Sequence, residues 1–180
     1  RHPRPVVVRI AGPAQAGKTT LLMRTLGLLA RIDVALIQGN AQAPGDVAPL
    51  AGARALDEPD ADKRTGLQRA VDKLADAQLI LVEDRDGPHD SMGDIGEDVR
   101  VAIVPAGELG AVTPERLEGV EALVATRADE VGELDVEDGL RGLRKTCHGL
   151  HTFAVAAGHD DRGLDAWARW LEGQAFRQRD

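Results

Sequence analysis

Gly12, Gly17, Lys18 and Thr19 stand in the order G-x-x-x-x-G-K-[ST] within the stretch VVVRIAGPAQAGKTTLL. Residues of these types at this spacing can grip a phosphate. A glycine-rich turn aims several backbone N–H groups at one centre, and the helix that follows adds the positive end of its dipole. Gln15 and Ala16 lend their amides to the turn. Lys18 reaches the outer phosphates, and the Thr19 hydroxyl takes a place on Mg²⁺, with Thr20 beside it. The setting fits, because a β-branched run precedes the motif and a helical segment follows it. A nucleoside triphosphate is the ligand this predicts. A chance strand–turn–helix would have to explain a lysine and two threonines at what the pattern makes the buried start of a helix.

A second group of candidates lies in QLILVEDRDGPHD, where an apolar run ends in Glu83, followed by Asp84, Asp86 and Gly87. A carboxylate at the carboxyl end of a parallel strand faces the crevice where ligands bind. Glu83, with Asp84 or Asp86, is expected to orient an attacking or magnesium-bound water, although any of these acids can also cap the next element. A third group closes VEALVATRADE, with Thr126, Arg127, Ala128 and Asp129. The Asp129 carboxylate can accept hydrogen bonds from guanine N1 and its exocyclic amine, a donor pair adenine lacks. The Arg127 stem can lie along the base. In FAVAAGHDDRGLDAWARWL the small residues Ala156, Ala157 and Gly158 let backbone N–H groups approach that base.

The segment TCHGLH admits two readings. Cys147, His148 and His151 have the donor types for zinc or nickel. Alternatively this is a helix end, with Lys145 and His148 in the last turn, Gly149 as the stop and Cys147 packed inward. His89 and His159 stand alone and read as loop histidines near a nucleotide rim.

These groups need elements to position them. Apolar runs of strand length occur at 5–11, 33–38, 78–83, 99–105, 120–126 and 150–156. Most are continuous rather than alternating, as in strands covered on both faces. Helical spacing joins Leu67, Ala70, Val71 and Leu74, then Val136, Leu140 and Leu143, then Leu164, Trp167, Ala168 and Leu171. The helix from about Lys18 to Ala30 is apolar on most sides and is expected to be buried. Residues 40–62 read as loop with one short element. Strand and helix in alternation predict a three-layer α/β fold with a mostly parallel central sheet. The 180 residues, 43% apolar, are expected to form a single domain. A net charge of −8 disfavours nucleic acid and anionic lipid as partners. One cysteine excludes an internal disulfide, and no apolar run is long enough to span a bilayer. With no apolar leader in RHPRP, the expectation is a cytoplasmic protein.

In this order the motifs resemble the accessory GTPases that deliver nickel to hydrogenase and urease. GPAQAGKTTLL is similar to their phosphate loop and VEDRDG to their E-S-x-G segment. ATRAD is similar to their N-K-x-D, and AAGHDDRGLDAWARWL to their S-A-x-T-G-E-G-x-x-x-W. The resemblance implies a P-loop fold, GTP/GDP and Mg²⁺ as cofactors, and pairing of two copies around nucleotide. It also implies that Asn40 occupies the place of an acidic residue that helps hold magnesium. Thr126 and Arg127 replace the family's asparagine and lysine, and Asp86 stands where E-S-x-G has glycine. The family's Cys and His metal ligands have no counterpart in AGARALDEPDADKR, so no transition-metal site is carried over.

Three functions follow as alternatives. The first is a slow GTPase acting as a switch in metalloenzyme maturation, as a homodimer or with an assembly partner. The second is a nucleotide-binding module that no longer hydrolyses. The third is a small-molecule kinase, with Arg85 or Arg162 over the phosphates.

Overall fold

Continuous runs of Val, Ile and Leu make stable strands only where helices cover both faces of the sheet. The computed structural model, which describes residues 4–38, 54–57, 64–84, 94–156, 158 and 160–177, has that arrangement. Its strands are β1 (Val6–Ala11), β2 (Val34–Gln38), β3 (Arg54–Asp57), β4 (Leu79–Glu83), β5 (Val99–Pro105), β6 (Ala122–Thr126) and β7 (His151–Val155). Its helices are α1 (Lys18–Leu28), α2 (Arg64–Lys73), α3 (Glu133–Thr146) and α4 (Leu164–Ala175). The strands form a seven-stranded sheet in the order β3-β2-β4-β1-β5-β6-β7. Every neighbouring pair is parallel. The carboxyl ends of all strands therefore lie along one edge, with β1 in the middle. The expected three-layer α/β class holds, and each strand run named above forms a strand. The short element foreseen within 40–62 is β3.

Side chains alternate across the sheet, so each strand feeds two cores. Val8, Ile10 and Leu81 pack with Leu21 and Leu22 of α1 and with Leu164, Trp167 and Leu171 of α4. On the opposite face, Val7, Ile80 and Val82 meet Leu67, Ala70 and Val71 of α2. Further along that face, Ala102, Val104 and Leu123 meet Val136, Leu140 and Leu143 of α3. Trp167 is wholly buried, and its indole N–H donates to Thr25 Oγ1 at 3.0 Å, which removes the cost of burying that donor.

Helix α1 departs from expectation. It ends at Leu28 and is buried on one side only, while Met23 and Leu28 are 49% and 45% exposed. The sheet covers one face and α4 packs alongside, so the remaining face stays open. Lys18 is buried at the helix start, but Thr19 and Thr20 are exposed rather than buried.

One charge interrupts β1. Arg9 points to the same face as Val7 and is 2% exposed. Buried guanidinium requires partners. Asp84, the residue just past β4, pairs with Arg9, and Glu97 Oε1 lies 3.5 Å from Arg9 Nη1. Arg100 Nε donates to the same Glu97 oxygen at 2.9 Å, while the Ile95 N–H donates to Oε2 at 2.9 Å. One central arginine thus ties residue 84 to residue 97. Burial by itself raises the Glu97 pKa. The Arg100 hydrogen bond, with the backbone donors, outweighs it and holds the carboxyl below the ordinary range.

Gly163 opens α4 at a φ of +75°, and a Cβ there would sit 1.8 Å from the Ala154 carbonyl oxygen. Gly163→Ala is expected to lower stability by about 1–3 kcal/mol or more. An unchanged urea midpoint would show that this approach is not required. A depressed Glu97 pKa stabilises the fold fully above the unfolded value of about 4.3, and that contribution is lost as pH falls through the folded value. Glu97→Gln should therefore reduce stability at neutral pH by about 1–3 kcal/mol and flatten the acid limb of the stability–pH curve. Superimposable curves for the two proteins contradict this.

Candidate functional site

The loop between β1 and α1 sits at the middle of the sheet's carboxyl edge, and its backbone is specialised at three positions. A Cβ on Gly12 would lie 2.5 Å from the Ile103 carbonyl oxygen, so only glycine lets the loop pass this close to β5. Gln15 and Gly17 are both left-handed, with φ of +58° and +81°. Such reversals turn successive N–H groups toward a common centre. No side chain caps the start of α1 at Gly17, and the first N–H groups of a helix suit an anion. Lys18 arches back over the loop, donating from Nζ to the Gly12 and Pro13 carbonyls at 2.9 and 2.8 Å.

Two neighbours clamp the loop from β6. Thr126 is buried, and its hydroxyl donates to the Ala16 carbonyl at 2.6 Å. Arg127, left-handed at φ +54°, donates from its guanidinium to the Gln15 carbonyl. The Arg127 head group is thus spent on the loop rather than lying free beside a base. Asp129 follows in a short 3-10 turn and is exposed.

Glu83 and Asp84 part company by strand parity. Glu83 ends β4 on the α1 face, where its Oε1 accepts from Thr19 Oγ1 at 2.6 Å. Its Oε2 accepts from Gln38 Nε2 at 2.8 Å. Asp84 points the other way, into the ion pair with Arg9, which gives it a structural partner away from the loop. Thr19 gives its single proton to Glu83, so its oxygen lone pairs remain for a cation. A hydroxyl beside a carboxylate, next to a phosphate grip, is the hard-oxygen donor set that suits Mg²⁺.

Val155 and Ala156 are buried where β7 ends, but Ala156 does not offer its amide to a base as expected. Its N–H donates to the Arg162 carbonyl at 3.2 Å and its carbonyl accepts from Asp160 at 3.2 Å, closing a loop back onto Gly163. Asn40, Asp86 and Ala157 lie outside the described residues, as do Arg85, His89 and His159. At TCHGLH the helix-end reading holds. Helix α3 stops at Thr146, Gly149 takes φ +83°, and Cys147 packs against the core beneath α3. His151 lies against Trp170 with ring centres 5.6 Å apart. No group of three metal-type ligands occurs among the described residues. In that same set no helix is long and apolar enough to cross a membrane.

The sequence reading passed over Gln38 and Arg9. Both carried a usable signal. Gln38 is a polar residue closing a buried strand, the cue that found Glu83, and Arg9 is a lone charge inside an apolar run.

No protein-family model matches the sequence, and no curated protein matches it. Solved structures do resemble the fold. Hydrogenase maturation factor HypB from Archaeoglobus fulgidus superposes with a TM-score of 0.75 at 18% identity, over 95% of this chain and 90% of that one. HypB from Helicobacter pylori, in complex with nickel, gives 0.72 at 15%, over 96% and 87%. An LAO/AO transport system kinase gives 0.68 at 18%, over 96% of this chain and 59% of the other. FlhF complexed with GMPPNP and Mg²⁺ gives 0.57 at 14%, over 96% and 76%. Likeness at such identities speaks for architecture alone, and with the loop geometry above it makes this chain an α/β protein of the P-loop NTPase fold.

Proposed function

We propose that the chain is a magnesium- and GTP-binding protein that hydrolyses its nucleotide slowly and serves as a switch in metalloenzyme maturation. The observation that carries the nucleotide reading is the phosphate loop itself: left-handed Gln15 and Gly17, with Lys18 buried behind them. The nucleotide sits on residues 12–20, and the amides at Gly17 to Thr20 hold its phosphates, since Pro13 has no N–H and the Ala16 N–H donates to the Pro13 carbonyl at 3.3 Å. Lys18 exchanges the Gly12 and Pro13 carbonyls for outer phosphate oxygens. Thr19, its proton on Glu83, presents its oxygen to the cation. Bound magnesium would neutralise charge that builds on the phosphate oxygens. Asp129 reads the guanine edge. Asn40, for the cation, and Asp86, for the attacking water, complete the proposed set of residues.

The maturation role draws on the fold shared with the two HypB structures and on the ordered motifs. It goes with a single domain in the cytoplasm, acting as a homodimer or on an assembly partner, without nucleic acid or membrane. A turnover of roughly 10⁻⁴ to 10⁻² per second is the range for such sites without a supplied arginine. One observation favours the second reading, a module that binds but does not cut. Asp84 is held by Arg9 and both Glu83 oxygens accept from side chains, which leaves water to be positioned by few groups.

Phosphate release from Mg-GTP under multiple turnover separates the readings. Wild type should turn over slowly and Lys18→Ala about 10²-fold more slowly still. Equal release from both removes the enzyme reading, and tight binding with no release over hours selects the binding module. Asp129→Ala should weaken GTP by about 1.5–3 kcal/mol through loss of charge-assisted bonds. Equal affinity of wild type for ATP and GTP removes the guanine assignment.

A further inference from the structure

Gln38 and Glu83 are register partners at the last paired positions of β2 and β4. Both side chains leave the same face at the same edge, beside the first turn of α1. With Thr19 they form a chain of two links: Gln38 Nε2 donates to Glu83 Oε2 at 2.8 Å, and Thr19 Oγ1 donates to Glu83 Oε1 at 2.6 Å. The acceptor-only carboxylate decides the orientation of the amide, since its carbonyl turned inward would set oxygen against oxygen.

The function of the first link follows from what the second requires. A glutamate has three side-chain torsions, and ordering a long polar side chain costs about 1.5–2 kcal/mol in lost rotamer freedom. Glu83 is half-buried, so packing alone does not fix its carboxylate. With one oxygen held by Gln38, the other is set toward Thr19 before any ligand arrives. Thr19 then donates its proton to Glu83 rather than to water, which keeps its oxygen an acceptor for a cation. An amide does this without adding charge. A carboxylate at residue 38 would repel Glu83, and an ammonium would oppose a cation.

We propose that Gln38 is a positioning residue for the magnesium ion of the bound nucleotide, acting through Glu83 on the Thr19 hydroxyl. The proposal rests on the reading of the loop as a Mg-nucleotide site.

Calorimetric titration of the full chain with GTP, once in EDTA and once in excess magnesium, measures the gain in affinity that magnesium confers. Gln38→Leu keeps the volume and removes the donor. It should cut that gain about tenfold, the lower end of effects seen for groups that orient metal ligands. Affinity in EDTA should stay within about twofold, an equal-effect test that a merely structural role fails. In a Glu83→Gln background the same change should add less than about twofold, because the groups act in series. Gln38→Ala repeats the test with a smaller side chain. Three results overturn the proposal: a wild-type gain in both variants, equal losses with and without magnesium, or full additivity with Glu83→Gln. Wild-type GTP binding with no magnesium gain also overturns it and leaves the phosphate loop standing. Absence of GTP binding under both conditions removes both.

Discussion

Backbone amides can surround a phosphate only if the chain is held in a shape it would not otherwise keep. Between β1 and α1 that shape requires two left-handed residues, one of them Gln15 rather than glycine, at a cost of about 1–3 kcal/mol for the strained position. The restraint comes from outside the loop. Ile103 of β5 leaves room only for a glycine at position 12. From the end of β6, Thr126 and Arg127 hold the carbonyls of Ala16 and Gln15. Those two bonds draw the carbonyls outward, while the Ala16 N–H closes the turn on the Pro13 carbonyl at 3.3 Å. Strands β5 and β6 thus fix one turn, and the turn fixes where everything else in the site must lie.

The same logic explains two substitutions relative to the nickel-delivery GTPases the motifs resemble. Threonine and arginine at 126 and 127 look like erosion of a base-reading sequence. In the fold both are tied to the phosphate loop, so the segment retains a task of loop support whatever base it reads. On the other side of β1, Arg9 anchors Asp84 and Glu97 in a buried cluster. This cluster sets the point where the chain leaves β4, one residue after Glu83. The carboxylate that meets Thr19 therefore stands on an edge braced from both faces of the sheet.

Much of this could be read from the residues. Uninterrupted β-branched runs disclosed the parallel strands, because only strands covered on both faces can be so apolar. The glycine–lysine spacing disclosed the loop. Glu83 stood out as an acid closing such a run. What sequence could not supply was parity and pairing. Glu83 and Asp84 look equivalent in a string of acids, yet they project to opposite faces and meet different partners. Gln38 matters only because β2 lies beside β4 in register, a pairing across 45 positions that no local pattern encodes. Ala156 is small enough to admit a base, but its N–H is already used by Arg162, a fact of loop closure rather than of residue type. Helix α1 was misjudged for a related reason: an apolar composition says a helix can be covered, not that a neighbour exists to cover it.

The proposed ligand and mechanism depend on the amides of the first loop converging on an oxyanion. Amide-resolved NMR of the full chain during addition of Mg-GTP tests this most directly. The largest shifts should fall on the N–H groups from Gln15 to Thr20, with smaller changes at Thr126 and Arg127, which hold the loop from behind. Saturating nucleotide that leaves those resonances in place, or that shifts only a distant part of the sheet, would contradict the account.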